Sequence, residues 1–170
     1  MVRQLPPWHE NLRKRQVKSP KVYLRDSGLL HHLLGIGSEA DLLSHPKCGA
    51  SWEGYAIEET LKILQPDEAS FWATHQGAEL DLFLIKDGRR LGVEIKRVDA
   101  PTLTPSMRIA YHDLQLEHLV VLYPGTARYA LADWASALPL AVLAQGNGDA
   151  LFPRRARLRT RARTAGKKPR

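Results

Sequence analysis

One cysteine, Cys48, stands in 170 residues, so no internal disulfide can form and a reducing cytoplasm is the expected compartment. No stretch approaches the roughly 18 consecutive apolar residues of a membrane-spanning helix, and the N-terminus lacks an apolar signal core. No membrane partner is therefore expected. The seven histidines show no ligand spacing, which argues against structural zinc. His31-His32 fall inside a leucine-rich segment, where Leu29, Leu30, Leu33 and Leu34 read as the buried stripe of a helix and the histidines as its outer side. There is no internal repeat. There is also no Gly-x-x-x-x-Gly-Lys-Ser/Thr loop, so the chain carries no ATPase of its own.

Acidic residues are missing from one end and in excess elsewhere. Residues 153–170 hold nine Lys/Arg and no acid, and residues 1–25 hold seven basic residues against Glu10. Between them, 26–152 have nine basic and seventeen acidic residues, a net of −8, so the overall +7 comes from the two ends. The C-terminal run has no apolar period and reads as a disordered tail, suited either to phosphate backbone or to nothing beyond solvation. Three parts are expected: a basic arm over 1–20, a domain over 21–145 and a basic tail over 146–170.

Along the domain, Lys21–Arg25 reads as a short strand. Asp26-Ser27 then cap a helix that closes near Gly35. "SEADLLSH" gives a further helical piece ended by Pro46. Gly49–Leu64 predicts a longer helix, with Trp52, Ala56, Ile57, Ile63 and Leu64 on its apolar side and Glu58, Glu59 and Lys62 on its charged side. Strands follow at 70–75, 80–85 and 91–96, then a helix opened by Thr104-Pro105 and a fully buried strand at 118–125. The stretch 128–142 suggests one more strand and a helical turn. The class is α/β, a central mixed β-sheet flanked by helices.

The stretch "AELDLFLIKDGRRLGVEIKR" (78–97) places carboxylates where a buried strand wants leucine. Asp87-Gly88 signals a two-residue hairpin turn. That register sets Leu84 against Leu91, Leu82 against Val93 and Leu80 against Ile95, an apolar side. It also sets Asp81 against Glu94, and Glu79 against Lys96. Side chains two apart share a face, so Asp81, Glu94 and Lys96 would project together. Directly opposed Cβ atoms are roughly 4.5–5.5 Å apart, near enough for two carboxylates to hold one cation. Unpaired, they would repel and raise each other's pKa. A hard cation such as Mg²⁺, which takes one or two carboxylates plus waters and phosphate oxygens, removes the repulsion. The plainer reading is a surface hairpin on which Glu79 pairs with Lys96.

The acid in "SWEGYAIEETL", followed by "ELDLFLI" and "GVEIK" in hairpin partners and then by a helix and a buried strand, resembles the PD-(D/E)XK nuclease-like superfamily. The likeness is residue by residue at Asp81, Glu94 and Lys96, while the proline usual before the first Asp is replaced by Leu80. It implies a restriction-endonuclease-like core, with Asp81, Glu94 and a helix acid around Mg²⁺ or Mn²⁺. The helix acid is Glu53, Glu58 or Glu59, and Glu53 fits the family pattern best. Lys96 would position the attacking water.

A narrower likeness spans about residues 5–143. "KSPKVYLRDSGLLHHLLGI", "WEGYAIEETL", "FWATHQGAELDLFL" and "GVEIKR" together resemble the C-terminal domain of a group of prokaryotic AAA-type ATPases. The missing ATP-binding loop then implies either a C-terminal piece of a longer protein or a gene reduced to this domain, with residues 1–20 as the former tether. Two functions stay open: Mg-dependent phosphodiester hydrolysis of DNA, or a non-catalytic module that binds DNA or an ATPase partner.

Overall fold

The Asp87-Gly88 turn organises the sheet. In the computed structural model, which describes residues 1–9, 19–146 and 148–152, both turn residues have positive φ, 51° and 69°, as a type I′ turn requires. They join β4 (Glu79–Lys86) to β5 (Arg89–Ile95), and β3 (Glu68–Ala73) pairs antiparallel along the far edge of β4. The helix α4 (Pro105–Asp113), capped by the Thr104 side chain, carries the chain over to β6 (His118–Tyr123), parallel to β5. The stretch expected to hold one further strand holds two, β7 (Tyr129–Ala132) and β8 (Ala135–Pro139), because Asp133-Trp134 turn the chain between them. The result is a mixed six-stranded sheet in the order β3-β4-β5-β6-β8-β7.

A helix covers each face. On one lies α3 (Cys48–Leu64), whose Ala56 and Ile57 pack with Leu82, Leu84, Leu91, Val93 and Ile95. On the other, Met107, Ala110 and Leu114 of the α4 region pack with Trp72, Leu80 and Phe83. With both faces covered, β6 is buried at all six positions, which is why its sequence is a continuous apolar run. Gly92 permits the close approach: a Cβ there would stand 2.7 Å from Leu116 Cδ1.

The hairpin register holds from Lys86↔Arg89 to Leu82↔Val93 and then departs from expectation. Between β3 and β4 the register slips, from Ser70↔Phe83 to Trp72↔Leu80, so β4 contains one extra residue at Asp81-Leu82. This bulge moves Leu80 into the layer of α4, while Ile95 lies in the layer of α3. The expected pairing of Leu80 with Ile95 on one apolar side is thereby corrected.

The ends of the domain also differ from the sequence reading. Residues 2–5 are not a free arm: β1 (Val2–Leu5) pairs antiparallel with β2 (Lys21–Leu24), Leu5 is buried in the core, and Pro7 bridges to Phe71. At the other end, a turn at Gly148–Ala150 brings Leu151 and Phe152 into the core, so the tail does not begin at 146. The rest of the expected arm, 10–18, and of the expected tail, 153–170, lies outside the described residues.

Two short helices precede α3. Asp26 caps α1 (Ser27–Leu33) by accepting the Leu29 N–H at 2.9 Å, and α2 is Glu39–Ser44. The expected leucine stripe of α1 is covered only in part, and none of its four leucines is fully buried. Leu33 is 66% and Leu34 38% exposed, while the His31 ring meets Ser51 Oγ of α3 at 2.7 Å. The His31 contact ties this helix to α3, with Leu29 and Leu30 half-buried and Leu33 and Leu34 turned outward.

Candidate active site

The bulge at Asp81 creates the site. Where the β4–β5 ladder stops, the Ile95 N–H donates to Asp81 Oδ2 at 2.8 Å. The Lys96 N–H donates to Leu122 O at 2.9 Å, which continues the parallel pairing one residue past β5. Asp81 is thus held by a backbone amide at the point where the two strands part. Glu94 precedes that point, buried to 4% exposure. Its Oε1 accepts from Lys96 Nζ at 2.6 Å, while Oε2 is buried with no hydrogen-bond partner.

Of the three acids on α3, Glu53 is the one that shares a lysine with Asp81. Its Oε1 accepts the Tyr23 hydroxyl at 2.5 Å and the Lys21 ammonium at 3.2 Å, both from β2. Lys21 Nζ also makes an ion pair with Glu79 and lies 3.7 Å from Asp81 Oδ1. Glu53, Glu79, Asp81 and Glu94 are therefore gathered with two lysines, Lys21 and Lys96. Four carboxylates against two ammoniums leave the fully ionised cluster at −2.

Electrostatics follow from this crowding. Burial first, then the charges of Glu94 and Glu53, push the Asp81 carboxyl up to about 8, against the opposing effect of the Ile95 amide and Lys21. Burial also raises Glu94, with Lys96 and the Asp81 backbone N–H opposing it. Burial works against the charge on both lysines, yet the surrounding carboxylates outweigh it and hold their pKa values above the ordinary lysine range. Burial and the Glu53 contact keep the Tyr23 hydroxyl protonated.

The structure brings Asp81, Glu94, Lys96 and Glu53 together and leaves Glu58 and Glu59 elsewhere. Glu58, expected on the charged side of α3, is 1% exposed and held by two arginines: Arg3 Nε at 2.5 Å and Arg25 Nε at 3.0 Å. These pairs hold its pKa below the usual carboxylate range despite burial. They latch the β1–β2 ribbon onto α3, and so fix the strand that delivers Lys21 and Tyr23. Glu59 pairs with Lys62 at 2.6 Å. Glu79, expected opposite Lys96, is bound by Lys21 instead. Sequence reasoning missed Lys21 and Tyr23. Their two-residue spacing in a short strand was the available signal, but nothing local tied that strand to the hairpin.

Among the described residues, no three His, Cys, Asp or Glu side chains form a ready-made metal cage. Lys21 and Lys96 stand among the carboxylates. The donor set still suits a hard cation in the way Mg²⁺ is usually held, by one or two carboxylates and waters. Asp81 and Glu94 supply hard oxygens, and Glu94 Oε2 is a buried oxygen without a partner.

Fold and site define an α/β domain with a buried acid–lysine cluster at a sheet bulge. The chain belongs to the family described as the domain of unknown function DUF4143, whose model matches residues 48–143. A second model of unknown function, DUF8612, matches residues 1–40. Over 153 residues the chain is 48% identical to uncharacterized proteins of Mycobacterium tuberculosis and Mycobacterium bovis, covering 89% of this chain and 35% of each relative. It thus spans about a third of the length of these curated relatives. No solved structure matches. No helix among the described residues is long and apolar enough to cross a membrane.

Proposed function

We propose that this cluster is a Mg²⁺- or Mn²⁺-dependent phosphodiester-hydrolysing centre of the PD-(D/E)XK type, with DNA as substrate. The observation that carries this reading is the buried Asp81/Glu94 pair beside Lys96, with one Glu94 oxygen left unpartnered. A bound divalent ion would polarise a phosphoryl oxygen and lower the pKa of a water. Asp81 and Glu94 would hold it, and Glu53 would close the carboxylate set from α3, its orientation fixed by the Tyr23 hydroxyl. Lys96 would orient the attacking water and stabilise charge growing on the phosphoryl group. With a middle segment of nine basic and seventeen acidic residues, the basic termini would hold the phosphate backbone.

A second reading is a non-catalytic module that binds DNA or a partner ATPase. It is favoured by Lys21, whose ammonium already sits among three of the carboxylates. Domains of this family often accompany AAA ATPases. Incubating supercoiled and branched DNA with the protein, with and without Mn²⁺, separates the two. Metal-dependent cutting by wild type that is lost in Asp81→Asn and Lys96→Met supports the nuclease. Metal binding without cutting supports the binding module.

A further inference from the structure

We infer that Lys21 and a divalent cation compete for one place in this cluster, so that metal enters by displacing the Lys21 ammonium. The inference rests on the metal reading above and adds what governs occupancy. Lys21 Nζ is surrounded as a small cation would be: it pairs with Glu79, lies 3.2 Å from Glu53 Oε1 and 3.7 Å from Asp81 Oδ1. These oxygens come from α3 and β4, so the ammonium joins elements that would otherwise repel. A second, independent feature points to a ligand beside Asp81, the carboxylate that Lys21 shares with this pair: Glu94, buried and charge-linked to Asp81, ends in the unpartnered Oε2. Lys96 satisfies only its other oxygen.

Displacement requires no unfolding. The Lys21 side chain is 26% exposed, and its head group lies 5.4 Å from the Phe71 ring centroid, so a rotation about the stem delivers the charge to water. The ribbon need not follow, because Arg3 and Arg25 hold it to Glu58. Tyr23 keeps its hydrogen bond to Glu53 through the exchange and presents that carboxylate to the incoming ion. With its carboxylates ionised the site carries a net −2, and exchanging a +1 for a +2 charge there favours the metal electrostatically. The lysine sets the metal concentration at which the exchange occurs.

The test compares Mn²⁺ binding by wild type and Lys21→Met, with free Mn²⁺ followed by electron paramagnetic resonance. Removing a competing charge at this range should tighten Mn²⁺ binding roughly tenfold or more. In parallel, wild-type lysines are acetylated and quantified by peptide mass spectrometry, with the 55%-exposed Lys62 as internal control. Saturating Mn²⁺ should raise Lys21 labelling severalfold relative to Lys62, and this arm stands even if Lys21→Met does not fold. Equal Mn²⁺ affinity in the two proteins, or unchanged Lys21 labelling with Mn²⁺ demonstrably bound, overturns the inference and leaves the metal reading intact. Absence of Mn²⁺ binding in both proteins overturns the metal reading itself.

Discussion

Asp81→Asn should change how stability depends on pH. Asp81 is 8% exposed and its carboxyl is raised to about 8 by burial, Glu94 and Glu53. In the unfolded chain the same group ionises near 3.9. Between those values the folded state binds the proton that the unfolded state has lost. Stability therefore falls as pH rises through the window, with a slope of at most about 1.4 kcal/mol per pH unit from this group. Below about pH 4 both states are protonated, and above about 8 both are charged, so the slope from this residue vanishes at either end. Asparagine keeps the shape and can still accept the Ile95 N–H, but it does not titrate. Urea unfolding of both proteins at pH 5, 6, 7 and 8 gives the difference directly. The Asp81→Asn variant should gain on wild type with each unit. Parallel curves across this range would refute the claim that the carboxylates are crowded in the folded state.

Other consequences are testable separately. Glu58→Gln removes a buried charge held by Arg3 and Arg25 and should cost about 1–3 kcal/mol in urea unfolding. Because the Glu58 pKa is depressed, its contribution is present above the unfolded value near 4.3 and is lost as pH falls below it; a wild-type acid-unfolding slope no steeper than the variant's would contradict this. Gly92→Ala sets a Cβ 2.7 Å from Leu116 Cδ1 and 3.3 Å from Leu80 Cδ2, and should cost about 1–3 kcal/mol by overpacking; a neutral result would show the α4 side to be looser than described. Truncation at residue 152 removes nine basic residues, so DNA affinity and its salt dependence should both fall while any metal-dependent cutting persists. An unchanged salt slope would exclude the tail from DNA contact.

Local chemistry made much of the domain readable. Asp-Gly set the β4–β5 turn, Thr104-Pro105 opened α4, and the continuous apolar run gave β6. The bulge at Asp81 was invisible, since strict alternation describes Leu80 to Ile85 equally well. Only pairing with β3 reveals the extra residue. β1 was missed because four residues followed by two prolines show no period, and its partner lies beyond the undescribed segment. Glu58 was placed on the charged side of α3 because its partners, Arg3 and Arg25, are 55 and 33 residues away in sequence. Lys21 was hidden for the same reason. The hairpin residues of the site could be read from spacing, whereas the charges brought by the ribbon depend on tertiary docking.

Anomalous scattering from crystals soaked in Mn²⁺ tests the proposed metal centre most directly. The expected map has a manganese peak bonded to Asp81 and Glu94, with the Lys21 ammonium withdrawn from Glu53, Glu79 and Asp81. A map at saturating Mn²⁺ with no peak there, and with Lys21 still seated among those three carboxylates, would contradict it.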